Sequence, residues 1–276
     1  MKNWIKISRF FYGIGVAGLG VQQFIYPDLR PVIWPPGWPS WIHSSTWAYI
    51  VGAALITAAI LIIAGKKAKM ASLLLGLFLL IIFLLIQCTY VLFVQPNFPR
   101  HLALWTDPLK ELALSGGAFV LAQLCDDELN ASSRSLLSTV LKKLIPFGMI
   151  FFSITMISFG IDHFFYTEFV AGLVPSWFPD HIFWTYFAGV ALIGSGVAII
   201  LEIRVERVAA LLSTMLFLWF VLLHIPRAIA DPYGLQGNEI SSVFEALTFS
   251  GIALGIAIIY KDKINPTKNE FTKQGL

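Results

Sequence analysis

Two histidines and a glutamate are the side chains of this sequence best suited to chemistry. His163, His224 and Glu245 lie near the ends of three separate apolar segments. Ionisable groups at such positions are costly in a membrane and are therefore candidates for function. Asp162 precedes the first histidine, and Arg227 follows the second by three residues, which puts His224 and Arg227 on one helix face. These five residues form the first group of candidate ligand-binding residues.

Three interpretations of this group stay open. It can be a hydrogen-bonded and ion-paired network that ties helix ends together, or it can line a pocket for a small polar or quinone-like ligand. In the third interpretation His163, His224 and Glu245 bind zinc or iron, which imidazole and carboxylate groups suit. Their lack of local ligand spacing disfavours that interpretation, so no metal is assigned. No Ser-His-Asp order, HExxH or phosphate-binding glycine loop occurs, and the sequence does not decide whether the protein is an enzyme.

The composition indicates which class of protein must position these residues. Hydrophobic residues make up 57% of the chain and charged residues 13%, against about 25% charged in a soluble domain. With a mean hydropathy of +0.77, a soluble single core and disorder are both excluded. The net charge of +3 is too weak for a nucleic-acid partner. Cys88 and Cys125 form no CxxC pair. The sequence predicts an all-α integral membrane protein in contact with the lipid bilayer.

Eight segments have the length of about 20 mainly apolar residues that a membrane span needs. Their unbroken apolar runs exclude the alternating strands of an outer-membrane barrel. The predicted spans are Ser8–Tyr26, Trp47–Ala64, Met70–Val94, Leu109–Cys125, Leu144–Tyr166, Ile182–Leu201, Val208–Pro226 and Ile240–Tyr260.

The basic residues predict the orientation of these spans. With eight spans, 15 of the 19 lysines and arginines fall on the side that holds both termini. Since positive residues concentrate on the cytoplasmic side, we expect a protein of the cell membrane with cytoplasmic N- and C-termini. All five histidines and 12 of the 14 prolines then lie on the outer side. The candidate site is therefore expected to face outward, beneath the loop Pro175–Pro179.

An internal repeat supports the same topology. Gly20–Phe24 aligns with Gly160–Phe164 at an offset of 140, and further matches follow in the same order at offsets of 140, 137 and 135. The sequence thus predicts two parallel-repeat four-helix bundles, related by an axis along the membrane normal. The expected organisation is a first repeat at 1–125, a cytoplasmic linker at 126–143, a second repeat at 144–262 and a cytoplasmic tail at 263–276.

The repeat extends the candidate site to the first half of the chain. Gln23 corresponds to His163, Gln87 to His224, and Lys110 to Glu245. Polar residues at equivalent depths would be costly facing lipid. We therefore expect His163, His224 and Glu245 to converge in one pocket, with Arg227 as the counter-charge of Glu245 or Asp162. Gln23, Gln87 and Lys110 complete the predicted ligand-binding set.

The second repeat resembles the DoxX/DoxD-like membrane family. The resemblance lies in Gly160–Phe164, the proline-flanked stretch Val174–Pro179 and Gly189. Members are usually single four-helix units, whereas this chain would be a tandem pair. Some are similar to the small membrane subunit of thiosulfate:quinone oxidoreductase. The resemblance implies a redox-associated membrane subunit, either quinone-linked or docking a redox protein. The partner would carry the cofactor, because this chain has no cofactor motif of its own.

Two other functions remain open from the sequence. The parallel repeats and the buried polar groups would also suit a small-solute transporter. The bulky outer loops would suit a non-catalytic membrane scaffold that binds or stabilises other proteins.

Overall fold

The computed structural model describes residues 1–26, 29–35, 37–38, 45–95, 101–125, 141–234 and 237–264. Within these ranges the regular structure is helical throughout and contains no strand. Its long helices, numbered here in chain order, are α1 Lys2–Ile25, α2 Ser45–Ala64, α3 Ala68–Val94, α4 Thr106–Leu124, α5 Phe147–Phe165, α6 His181–Ile200, α7 Val205–Ala230 and α8 Asn238–Ile264.

Six of these helices are long and apolar enough to cross a membrane, namely α2, α3, α5, α6, α7 and α8. This confirms an all-helical protein and indicates a membrane location with several crossings. Helices α1 and α4 lie where two further spans were predicted, but they are less apolar. Arg9, Gln22 and Gln23 lower the hydropathy of α1. Lys110 and Glu111 do the same in the first turns of α4.

Helices α4 and α8 form the interior of the bundle. Of the most apolar part of α8, 78% of the residues are buried, against 22–33% in the other five apolar helices. Helix α4 is buried almost all round from Glu111 to Ala122. A helix that is buried on all sides lies inside a large core. Because protein and not lipid surrounds α4, its surface does not need the apolarity of a lipid-facing span, and its low hydropathy is compatible with its position.

The packing order interleaves the two halves of the chain. Helix α1 packs on α2 and on α8, while α5 packs on α6 and on α4. Helix α3 packs on α4, and α7 packs on α8. The fourth helix of each half thus lies against the first helix of the other half, and α4 and α8 contact each other between them.

Glycines allow these cross-half contacts to be close. A Cβ atom on Gly116 of α4 would lie 2.6 Å from the Gly148 carbonyl oxygen of α5. A Cβ on Gly251 of α8 would lie 2.9 Å from the Ser8 carbonyl oxygen of α1. Both distances are below normal contact, so only glycine lets each backbone pair approach this closely. Small residues serve this purpose in membrane helix packing.

Buried serines join the helices within each half. The Ser115 hydroxyl donates to the Gly76 carbonyl at 2.8 Å, which links α4 to α3. The Ser250 hydroxyl donates to the Ser213 carbonyl at 3.0 Å, which links α8 to α7. Each bond satisfies a hydroxyl that lipid could not.

Replacing Gly116 or Gly251 by leucine should destabilise the protein by about 1–3 kcal/mol, the usual range for overpacking. The reason is that a backbone carbonyl cannot move aside as a flexible side chain can. Unfolding of the purified protein in detergent would measure the effect. Gly194→Leu is the matched control, since nothing lies within 4 Å of a Cβ there. An equal loss in the control would contradict the explanation.

Candidate functional site

The predicted site residues cluster at one end of the bundle, which we call the polar end. Here α1, α3, α5 and α7 finish, and α2, α4, α6 and α8 begin. All eight candidates are described, and all lie in the end turns that meet there: Gln23, Gln87, Lys110, Asp162, His163, His224, Arg227 and Glu245.

A buried ion pair joins the two inner helices at the polar end. Lys110 Nζ of α4 lies 3.0 Å from Glu245 Oε2 of α8, and the two side chains are 14% and 6% exposed. Lys110 also donates to Asp107 Oδ1 at 3.2 Å, one turn earlier on α4. Because an ammonium group has three N–H donors, Lys110 can make one more hydrogen bond. Removing Lys110 would leave the Glu245 carboxylate buried without this partner, which is costly, whereas removing Glu245 would leave Lys110 paired with Asp107.

The prediction that Arg227 is the counter-charge of Glu245 or Asp162 was wrong. Its guanidinium binds Glu239 through both nitrogens of one edge, with Nε 2.8 Å from Oε2. Nη1 also reaches the Leu173 carbonyl at 3.5 Å, next to the Pro175–Pro179 loop. Arg227 therefore ties α7 to the first turn of α8. Glu245, two turns further along α8, faces α4 and takes its counter-charge from the other half of the chain.

The two histidines have different surroundings. His163 Nδ1 lies 2.7 Å from the Phe159 carbonyl, and its ring stacks on Trp219 of α7 at 6.3 Å between centroids. His224 lies within electrostatic range of Lys110, and its buried Nδ1 has no hydrogen-bond partner among the described residues. No hydrogen bond or ion pair between described residues joins His163, His224 and Glu245. His224 thus lies near the ion pair, whereas His163 belongs to the contact between α5 and α7.

Asp162 is half-buried one residue before His163. Its backbone carbonyl accepts a hydrogen bond from the Tyr166 amide, which closes the last turn of α5. In the described part of the chain its carboxylate makes no ion pair with Arg227.

The two glutamines of the first half are buried more deeply than the two histidines. Gln23 is fully buried, and neither atom of its amide group has a partner within the described residues. The Gln87 amide donates to the Pro31 carbonyl at 3.0 Å. Unpaired buried polar atoms are rare in proteins and need an explanation. Their presence leaves hydrogen-bonding capacity unused at the polar end, on His224 near the ion pair and on Gln23 of α1.

Local helix geometry marks two of the candidates. Phe83–Gln87 in α3 and Phe220–His224 in α7 are π-helical, and each segment ends on a candidate residue. Such insertions are frequent at functional sites. The apolar sequence around them gives no sign of this change in winding.

Two buried residues at the polar end were not among the predicted set. Glu111 is fully buried in α4, beside Gln87. Arg30 is 1% exposed, lies over the Tyr26 ring and acts electrostatically on Glu245. Both carried a signal in the sequence, since Arg30 is one of only four basic residues on the predicted outer side and Glu111 opens a charge-free run.

The metal interpretation has no geometric support. Among the described residues, no three histidine, cysteine, aspartate or glutamate side chains are placed to hold an ion. Two surface cavities, of about 430 and 380 Å³, lie at the opposite end of the bundle. The first is lined in part by Tyr260 and Lys263, and the second by Lys6 and Arg9.

The fold and the buried charges thus define a helical, multi-pass membrane protein with a polar cluster at one end. A family model described as a domain of unknown function (DUF8561) matches residues 152–247. The matched region runs from α5 into α8 and includes His163, His224 and Glu245. No curated protein matches the chain, and no solved structure does.

Removing one partner of the buried ion pair should lower the free energy of unfolding, whereas replacing both partners with apolar residues should lower it much less. We expect Lys110→Met to lower stability by about 3–5 kcal/mol, because it leaves Glu245 buried without its ion-pair partner, and Glu245→Leu to cost less, because Lys110 keeps its ion pair with Asp107. The double variant should recover most of that loss. A double-mutant cycle of unfolding in detergent measures the coupling, and exposed Lys66→Met is the control. Strictly additive losses would show that the pair does not couple α4 to α8.

Proposed function

We propose that the chain is an eight-span protein of the cell membrane built from two parallel four-helix repeats, 1–125 and 144–262, with both termini cytoplasmic. Contacts at matching positions support the repeat. Phe24 stacks on Tyr49 at 5.3 Å, and Phe164 stacks on Tyr186 at 5.4 Å. The serine bonds and the cross-half glycine contacts described above also recur at the repeat offsets.

The ion pair supports a symmetry axis at the polar end. Lys110 and Glu245 are equivalent positions of the two repeats, at an offset of 135, and they contact each other. Two equivalent residues can touch only close to the axis that relates their repeats. The candidate site then lies at the repeat interface, which is where membrane proteins with internal repeats bind their substrates.

We propose further that this site binds the headgroup of a quinone, as part of a redox-associated membrane subunit of DoxX-like type. The observation that carries the proposal is the buried Lys110–Glu245 pair with the unpaired ring nitrogen of His224 near it, at the end of the bundle that also holds the unpaired Gln23 amide. Quinone carbonyl oxygens accept hydrogen bonds, and Lys110, the Gln23 amide and the His224 ring can each donate one. The apolar helix faces suit the hydrocarbon tail. Electrons would come from a redox protein docked at the polar end.

Quinone binding tests this proposal directly. The full chain, reconstituted in lipid nanodiscs, should retain a photoactivatable quinone analogue and be labelled on α1 or α7 near the polar end. Lys110→Met and Gln23→Leu should each weaken binding several-fold, because each removes a donor. Lys66→Met, at an exposed position of the opposite end, should bind normally. Near-ultraviolet circular dichroism would verify that the variants fold. Labelling that is absent or unaffected by the site variants would contradict the proposal.

A small-solute transporter is the second candidate function. The specific observation in its favour is that the charged pair bridges the two repeats, so a movement of one repeat against the other would break and remake it. Proteoliposomes containing the protein should then take up solute, and Lys110→Met should abolish uptake while Lys66→Met should not. Quinone labelling without solute flux would favour the first function over this one.

A further inference from the structure

Glu111 is a buried acid that neither proposed function uses. It lies in the second turn of the inner helix α4, with no exposed surface. Neither carboxylate oxygen has a hydrogen-bond partner within the described part of the chain. The Gln87 amide donates to the Pro31 carbonyl at 3.0 Å and also lies close enough to act on Glu111, but this neutral dipole offsets only part of the cost of burial. An ionised carboxylate in this state would lack hydration and an opposite charge, which is very unfavourable.

The nearby charges do not compensate Glu111. Lys110 is its neighbour in the chain, but the Lys110 ammonium is directed to Glu245 and Asp107. The charge that acts on Glu111 is that of Asp107, which has the same sign. Helix α3 contributes the neutral Gln87 amide and the Cys88 thiol. Arg30 acts on Glu245 of α8. The surroundings of Glu111 therefore favour its neutral form.

The space around Glu111 restricts which cation can neutralise its carboxylate. Both oxygens are fully buried, so a bound water, ammonium ion or metal ion has no room beside them. Calcium would need six to eight oxygen ligands, and magnesium an octahedral set. A proton needs no additional volume. Of the cations that could neutralise this carboxylate, the packing admits only the proton.

Packing alone does not require an acid at this position. The equivalent residue of the second half is Ala246, at the same offset that relates Lys110 to Glu245. Ala246 is 6% exposed, so it fills a comparable buried position with a methyl group. The first half thus has a buried glutamate where the second half has alanine, and burying the glutamate costs free energy that alanine would not.

Asp107 connects Glu111 to the solution. It lies four residues earlier on α4, so the two acids share a helix face one turn apart. Its side chain is 39% exposed, whereas Glu111 has no exposure. The polar end therefore holds an acid that reaches water directly above an acid that does not. Chains of acidic side chains are the usual proton relays of membrane proteins.

We propose that Glu111 is a proton-binding site inside the membrane bundle and that it exchanges its proton with the outer solution through Asp107. This goes beyond the proposed function, because it holds whether the ligand at the ion pair is a quinone or a transported solute. A quinone takes up protons on reduction, and a coupled transporter moves them, so either activity could use the site.

Infrared spectroscopy of the full chain in nanodiscs tests the proposal. We expect a protonated-carboxyl C=O band at neutral pH that Glu111→Gln removes, with the fold retained because the two side chains have nearly the same shape. Glu168→Gln, which removes an exposed acid at the polar end, should leave the band unchanged. If Glu111→Gln removes no such band at neutral or mildly acidic pH, Glu111 does not hold a proton and the proposal fails.

The route through Asp107 is tested by transfer into D2O. The Glu111 band should shift as the proton exchanges for deuterium, and Asp107→Asn should slow that shift several-fold. An unchanged exchange rate would overturn the assigned route. Quinone labelling of the same samples tests the two proposals separately. If the native chain is not labelled, the quinone function is contradicted, whereas the Glu111 band is unaffected by that result.

Discussion

The need to pair the buried charges of Lys110 and Glu245 is the constraint on which the arrangement of the bundle depends. In a bilayer a charged side chain must find its partner within the protein. Lys110 and Glu245 can do so only if the inner helices α4 and α8 meet at the polar end in one register. That contact in turn fixes α3 and α5 around α4, and α1 and α7 around α8. The close glycine contacts and the serine hydrogen bonds then stabilise an arrangement that the charges select.

Much of the helical architecture could be predicted from hydropathy, because lipid imposes length and apolarity on each span. Long helices lie at all eight predicted places, and six of them meet the apolarity of a membrane span. Helix α4 shows the limit of this reasoning. Its low hydropathy is a consequence of burial within protein, and no property of a single segment reveals which helices will surround it. The exchange of neighbours between the two halves could not be predicted for the same reason.

The site was predictable in composition but not in pairing. The repeat pointed to Gln23, Gln87 and Lys110, and each lies at the polar end. The choice of Arg227 as the counter-charge failed because it relied on proximity within the second half, whereas Glu245 faces the first half. Glu111 opens a charge-free run in the sequence, but nothing in that run shows that the side chain is buried without an opposite charge. Its surroundings depend on how α3 packs on α4, with the Gln87 amide donating to the Pro31 carbonyl.

The interleaving of the halves has a consequence for biogenesis. Helix α1 leaves the ribosome before the other long helices described here, yet one of its two main packing partners is α8, the last of them. Until α8 is synthesised, α1 lies in the bilayer with its glycine-rich face uncovered, and Lys110 lacks its contact with Glu245. The packing around α1 and α4 therefore stays incomplete until α8 inserts. A chain that stops short of α8 would leave Lys110 without Glu245 and the face of α1 uncovered, and these two features would distinguish it from the folded protein in the membrane.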